Sequence, residues 1–222
     1  MPNHQVLVAL ARQPISEKLV FSLKDQALQF GVTLHSLGGQ ISNGSYFAER
    51  FEANAHLDTA QREQLRSIAA THNADLCFLK SDLVAQDIRV LAMDMDSTLI
   101  NIECIDEIAD MMNIKPQVAA ITESAMRGEI EFKESLTRRV ALLNGLEESA
   151  LKRVIDERLK LNPGAQDWIN ACKEHGIKTL LVSGGFEFFA NHVKALLGLD
   201  YAESNRLEII NGKLTGKILG DI

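Results

Sequence analysis

Two acidic residues spaced two apart, Asp94 and Asp96, stand at the end of the apolar run Val90-Leu91-Ala92-Met93 and just ahead of Ser97-Thr98. In extended backbone, residues i and i+2 point to the same side. Both carboxylates can therefore face one point at the C-terminal end of a strand, where open α/β sheets place their ligands. Two unit charges ~4 Å apart repel by about 4 kcal/mol at an effective dielectric of ~20, and a hard cation such as Mg²⁺ relieves that repulsion. A bare Asp-x-Asp reads more simply as a solvated turn. The apolar strand in front, expected to be buried and central, and the hydroxyls behind shift the reading towards a site. A second candidate is Val182-Ser183-Gly184-Gly185-Phe186, after the apolar run Ile177–Val182. The Ser183 hydroxyl and the Gly184 amide can both donate to an oxygen, the missing Cβ admits a ligand closely, and a following helix adds partial positive charge. Leu181 stands where a nucleophile elbow needs glycine, and no Gly-x-x-x-x-Gly-Lys phosphate loop occurs. An acidic strand end paired with an anion-binding one suits metal-assisted phosphoryl transfer.

The elements that must position these groups follow from periodicity. Residues 1–80 read as strand Val6–Leu10, helix Pro14–Phe30, strand Val32–Leu37 closed by Gly38-Gly39, strand Tyr46–Ala53, helix Thr59–His72 and strand Ala74–Leu79. This β-α-β-β-α-β order is the split βαβ, ferredoxin-like arrangement, an α+β unit. Residues 81–87 form a polar linker. Residues 88–222 read as an α/β, Rossmann-like domain. Four consecutive helical patterns between residues 101 and 161 form a small bundle inserted after the first strand, in the position of a lid. Pro163-Gly164 opens a helix with Ala165, Trp168, Ile169 and Cys172 inward, and Asn211-Gly212 marks a hairpin.

Composition bounds the rest. With 222 residues and 46% hydrophobic content, the chain can bury two cores. Its net charge of −7, with Lys and Arg scattered, disfavours nucleic acid and anionic membranes. No signal peptide is visible after Met1, and no apolar run approaches the ~20 residues of a membrane span. Cys77, Cys104 and Cys172 are far apart and odd in number, which fits reduced core thiols in a cytoplasmic protein.

Met93-Asp94-Met95-Asp96-Ser97-Thr98 and Val182-Ser183-Gly184-Gly185-Phe186 resemble the first two motifs of the haloacid-dehalogenase-like phosphohydrolases. Glu103, the run Met126–Phe132, Ser135–Val140, Asn205-Arg206-Leu207 and Asn211–Leu214 are similar to the branch of that family that hydrolyses phosphoserine. The resemblance implies a Mg²⁺-dependent enzyme converting O-phospho-L-serine to L-serine and phosphate, the last step of serine biosynthesis, through an aspartyl phosphate. It implies Asp94 as nucleophile, Asp96 as general acid and base, both at the metal, Ser183 and Gly184 on the phosphoryl oxygens, Glu103 on the substrate ammonium and Arg139 on its carboxylate. Met126 and Phe132 would line the pocket, although helix packing is the commoner use of such residues. Residues 1–80 resemble an ACT-like regulatory or dimerising domain, with serine or another amino acid as effector and a homodimer as the expected assembly. The alternatives are a related phosphatase acting on another small phosphomonoester, or a non-catalytic amino-acid-binding fragment.

The family's downstream lysine and its Gly-Asp-Gly-x-Asn-Asp loop do not occur in these 222 residues; Lys213 and Lys217 belong to the hairpin, and Asp221 lacks the strand-loop context. A piece of a longer protein, with an exposed sheet edge and little or no activity of its own, is therefore expected. A phosphate-release assay with phosphoserine and Mg²⁺ checks this, and normal turnover overturns it.

Overall fold

The computed structural model describes residues 5–79 and 87–220. The linker expected at 81–87, apart from Asp87, and the two chain ends lie outside these. The chain divides into two compact units, residues 1–87 and 88–222.

In the first unit, β1 (Gln5–Ala11) alternates strictly between buried and half-buried positions, the signature of a sheet covered on one face. It is followed by α1 (Glu17–Gln29), β2 (Leu34–Ser42), β3 (Phe47–Ala53), α2 (Thr59–Thr71) and β4 (Ala74–Leu79). The strands form an antiparallel sheet in the order β2-β3-β1-β4, the ferredoxin-like pattern. Leu7, Ala9, Phe51 and Ala53 of the sheet pack on Leu19, Leu23, Leu65 and Ala69 of the helices. Helix α1 starts three residues later than the Pro14 expected, because Ser16 caps it by accepting from the Leu19 amide at 3.2 Å. The glycines Gly38 and Gly39 do not close β2. Both take positive φ inside a register shift between Ser36 and Gln40, and the strand continues beyond them. A bulge tolerates such residues where a regular ladder does not. Cys77, expected in the core, points from β4 to the exposed side.

The second unit carries β5 (Val90–Met93), then α3 (Cys104–Met111), α4 (Lys115–Met126), α5 (Phe132–Ala141) and α6 (Ser149–Glu157), and then α7 (Ala165–Glu174), β6 (Lys178–Phe186), α8 (Glu187–Leu197), β7 (Tyr201–Ile210) and β8 (Lys213–Leu219). The sheet order is β5-β6-β7-β8, parallel as far as β7 and antiparallel at the hairpin. Asn211 and Gly212 both take positive φ in that turn, as a tight hairpin requires. The strand expected to be central is instead at the sheet edge: among the described residues β5 pairs only with β6, and Val90 is 54% exposed. Trp168, expected inward, is 47% exposed, while Ala165, Ile169 and Cys172 are buried. The core runs through Met95, Leu99, Ile100, Ile108, Leu181, Phe186 and Phe189, so it holds both strand ends from beneath.

Between α8 and β7, Asp200 ties down the start of β6. Its carboxylate meets Lys178 Nζ at 2.6 Å and accepts from the Thr179 amide at 2.9 Å and hydroxyl at 3.0 Å. These bonds, that from Lys178 foremost, hold its pKa down to about 2. A carboxyl lowered on folding adds stability above its unfolded value near 3.8, and that stability disappears as pH falls through 2. Asp200→Asn should therefore lower the melting temperature at pH 7, and the gap to the parent chain should narrow between pH 4 and pH 2 in a circular-dichroism melting series.

Candidate active site

Strand β5 stops at Met93 because the chain turns sharply next. The amides of Thr98, Leu99 and Ile100 all donate to the Met95 carbonyl at 2.9–3.2 Å, and the buried side chains of Met95, Leu99 and Ile100 pull the turn into the core. Asp94 and Asp96, flanking Met95, are left on the open side. The Met95 amide donates to Asp94 Oδ1 at 2.7 Å, and the Cys104 amide, at the start of α3, donates to Asp96 Oδ1 at 3.0 Å. Burial raises the Asp96 pKa above the usual aspartate range. The hydrogen bonds from Cys104 oppose this, and the negative charges of Glu103 and Asp94 add to it. Cys104 is itself buried beside this carboxylate, and its thiol pKa is pushed up mainly by desolvation, so it is inert as a nucleophile at neutral pH.

The second strand end meets the first through glycine. An added Cβ at Gly185 would sit 2.8 Å from Asp96 Oδ2 and 3.0 Å from Ser183 Oγ, so only glycine lets the two loops touch this closely. Ser183 is 7% exposed, and its Oγ accepts from the Gly185 amide at 2.9 Å. An accepting hydroxyl keeps its own proton free to donate to an anion. Asn205 on β7 secures the next residue by donating to the Gly184 carbonyl at 2.9 Å. Strand β6 continues through an irregularity to Phe186, so α8 begins three residues after Gly184 rather than at the serine loop. Its N-terminal charge is therefore less direct than the sequence suggests.

The helical segment supplies the opposite wall. Phe132, at the start of α5, reaches over Gly184, where an added Cβ would lie 2.9 Å from its ring. Arg139, two turns along the same helix, is half-buried. Desolvation lowers its pKa, and the charges of Asp106 and Glu103 partly restore it. Glu103, the residue before α3, accepts from Ser97 Oγ at 2.6 Å. One cavity of about 210 Å³ is lined by Asp94, Asp96, Glu103, Phe132, Arg139, Ser183 and Gly184, together with Ile105, Leu136, Gly185 and Phe186. Seven of the eight residues named from sequence thus meet. The eighth, Met126, is 84% exposed at the end of α4 and is not among the lining residues. Among the described residues no three His, Cys, Asp or Glu side chains gather as a metal cluster. A larger hollow of about 410 Å³ beside α8 and β7 contains none of these groups.

Gly185 and Ser97 stand inside the motifs read from sequence but were given no role of their own, and the Cys104 amide was not foreseen. The doubled glycine after a strand was the available signal for the first. The other two depend on the turn that folds α3 back onto Asp96, which no local spacing announces.

A profile of the haloacid dehalogenase-like hydrolase family matches residues 91–222. A curated relative named phosphoserine phosphatase, from Polaromonas sp., is 55% identical over 146 residues, which cover 64% of this chain and 62% of that protein. The crystal structure of an HAD-family hydrolase from Salmonella enterica serovar Typhi superposes with a TM-score of 0.82 at 29% identity, over 97% of this chain and 72% of that one. The unliganded structure of a probable phosphoserine phosphatase from Vibrio cholerae gives a TM-score of 0.70 at 30% identity, over 97% of this chain and 63% of that one. The chain thus spans about three fifths of the length of the curated relative.

Because burial raises the Asp96 pKa, its ionisation costs stability. The stability linked to its proton is fully present below the unfolded value, near 3.8, and is lost as pH rises through the folded value. Asp96→Asn preserves the shape and the acceptor for the Cys104 amide without the charge. Its melting temperature should exceed that of the parent chain at pH 7, with the difference closing below about pH 4; an equal or lower value at pH 7 would count against the desolvation cost.

Proposed function

The chain belongs to the haloacid dehalogenase-like hydrolases, and on that premise we propose that it carries the active site of an enzyme hydrolysing O-phospho-L-serine to L-serine and phosphate. The observation that carries this reading is the shared cavity. It sets phosphate-directed groups (Asp94, Asp96, Ser183, Gly184) against a carboxylate and a guanidinium, Glu103 and Arg139, suited to an amino acid zwitterion. The curated relatives named phosphoserine phosphatase support it.

In this reading Asp94 attacks phosphorus, and the P–O bond to the serine oxygen breaks as Asp96 delivers its proton to the leaving group. A raised pKa suits a group that must hold that proton near neutral pH. Water then attacks the aspartyl phosphate, giving its proton to Asp96 and restoring Asp94. The Ser183 hydroxyl and the Gly184 amide hold the phosphoryl oxygens throughout. Arg139 clamps the substrate carboxylate as a fork, Glu103 meets the ammonium, and Phe132 excludes water above Gly184. Magnesium suits the donor set. Asp96 is buried against the like charges of Glu103 and Asp94, and Mg²⁺ commonly takes one or two protein carboxylates, leaving its other positions to water and phosphate. The Asp94 carboxylate and the Asp96 backbone carbonyl would hold it, and it would supply positive charge that offsets the anionic groups of the site.

Three further parts belong to this proposal. Residues of about 101–161 act as a cap over the cavity. The first unit is an ACT-like module that takes serine or another amino acid and joins two copies. The enzyme works in the cytoplasm at the end of serine synthesis; among the described residues no helix is long and apolar enough to cross a membrane.

Calorimetric titration with Mg²⁺ present tests the substrate. Phosphoserine should bind more tightly than phosphoethanolamine, which lacks the carboxylate. Arg139→Ala should weaken phosphoserine by about tenfold or more, the size of a charge-assisted hydrogen bond, while leaving phosphoethanolamine nearly unchanged. Equal losses on both, or no initial preference, would favour a different phosphomonoester.

A further inference from the structure

Glu103 occupies the N-cap position of α3 but makes no capping bond to its own helix. Its Oε1 instead accepts from the Ser97 hydroxyl at 2.6 Å. Ser97 holds φ at +51°, in the left-handed region that side-chain-bearing residues seldom adopt, and its amide donates to the Ile102 carbonyl at 3.1 Å, just before Glu103. Glycine would meet that backbone requirement with less strain, so the serine side chain has a separate use here. Ser97 also directly follows Asp96, so the turn that presents the proton donor also presents this hydroxyl.

We infer that Ser97 is a positioning residue that fixes the Glu103 carboxylate for the substrate ammonium, making the loop that carries the acid-base group also the one that selects amino-bearing esters. The inference rests on the phosphoserine reading above. With one oxygen tied to Ser97, Oε2 has no protein hydrogen-bond partner among the described residues and is left for an N–H donor. Neither Asp94 nor Ser183 depends on this bond, because the Met95 and Gly185 amides secure them.

The test compares phosphoserine with 3-phospho-L-glycerate, which has the same skeleton, phosphate and carboxylate but a hydroxyl where phosphoserine carries its ammonium. Affinities of both are measured by calorimetry, with Mg²⁺, for the full 222-residue chain, Ser97→Gly, Glu103→Gln and the double variant. Ser97→Gly suits the φ of that position, so it removes the hydroxyl without adding backbone strain. It should reduce the preference for phosphoserine about tenfold while leaving 3-phospho-L-glycerate within a factor of two, and it should add nothing on top of Glu103→Gln. A preference retained in Ser97→Gly, or both ligands weakened alike, overturns the inference and leaves the phosphoserine reading standing. A parent chain that does not prefer phosphoserine at all overturns both.

Discussion

A carboxyl group held in place while partly stripped of water is the constraint around which the second unit is arranged. Asp96 sits where solvent is scarce and where its nearest charged neighbours, Glu103 and Asp94, are also negative. Left alone, such a group swings outward into solvent. It stays because the chain returns on itself: the turn around the Met95 carbonyl brings α3 back so that the Cys104 amide meets Oδ1, while Gly185 comes in on the other oxygen with no Cβ to push it away. One contact comes from eight residues along the chain and the other from the far strand β6, so the site exists only once the turn, α3 and β6 are all in place.

The same economy explains the second strand end. Ser183 is held by the amide two residues on, and Gly184 is held through its carbonyl by Asn205 of the neighbouring strand. Among the described residues these bonds to the Ser183–Gly184 loop come from uncharged groups, so the loop is fixed without an ion pair. The positive charge in the cavity comes from Arg139 on the helical segment, so in the reading proposed above the phosphate-directed and zwitterion-directed groups are supplied by different elements. Such a division lets one core serve many esters while inserted helices decide among them.

The groups legible in the sequence were those whose chemistry is local. Asp94 and Asp96 are two apart on an extended chain, and Ser183-Gly184 ends an apolar run; both patterns survive without tertiary information. Glu103 and Arg139 were legible only through family resemblance, because an acid before a helix and an arginine on a helix are ordinary surface residues. Element types came through well for the same reason, and boundaries less so: the Ser16 cap displaced the start of α1, and the bulge at Gly38-Gly39 carried β2 past its apparent end. The edge position of β5 and the exposure of Trp168 depend on which neighbours each element finds, and periodicity carries no information about that. Met126 shows the limit of reading a side chain from its type: an apolar residue at a helix end has no obligation to face inward.

The passages into and out of the helical segment are stitched together. Ile100 pairs with Leu161, the Asn101 amide donates to the Lys160 carbonyl and the Asn162 amide to the Leu99 carbonyl, and the Asn162 side chain spans the Thr98 and Ile100 carbonyls. Farther out, Arg158 grips both Glu107 and Asp110, locking α6 to α3. The two ends of the segment are thereby fastened side by side, so Glu103 and Arg139 reach the cavity from one block that is tied at its root and braced between its first and last helices.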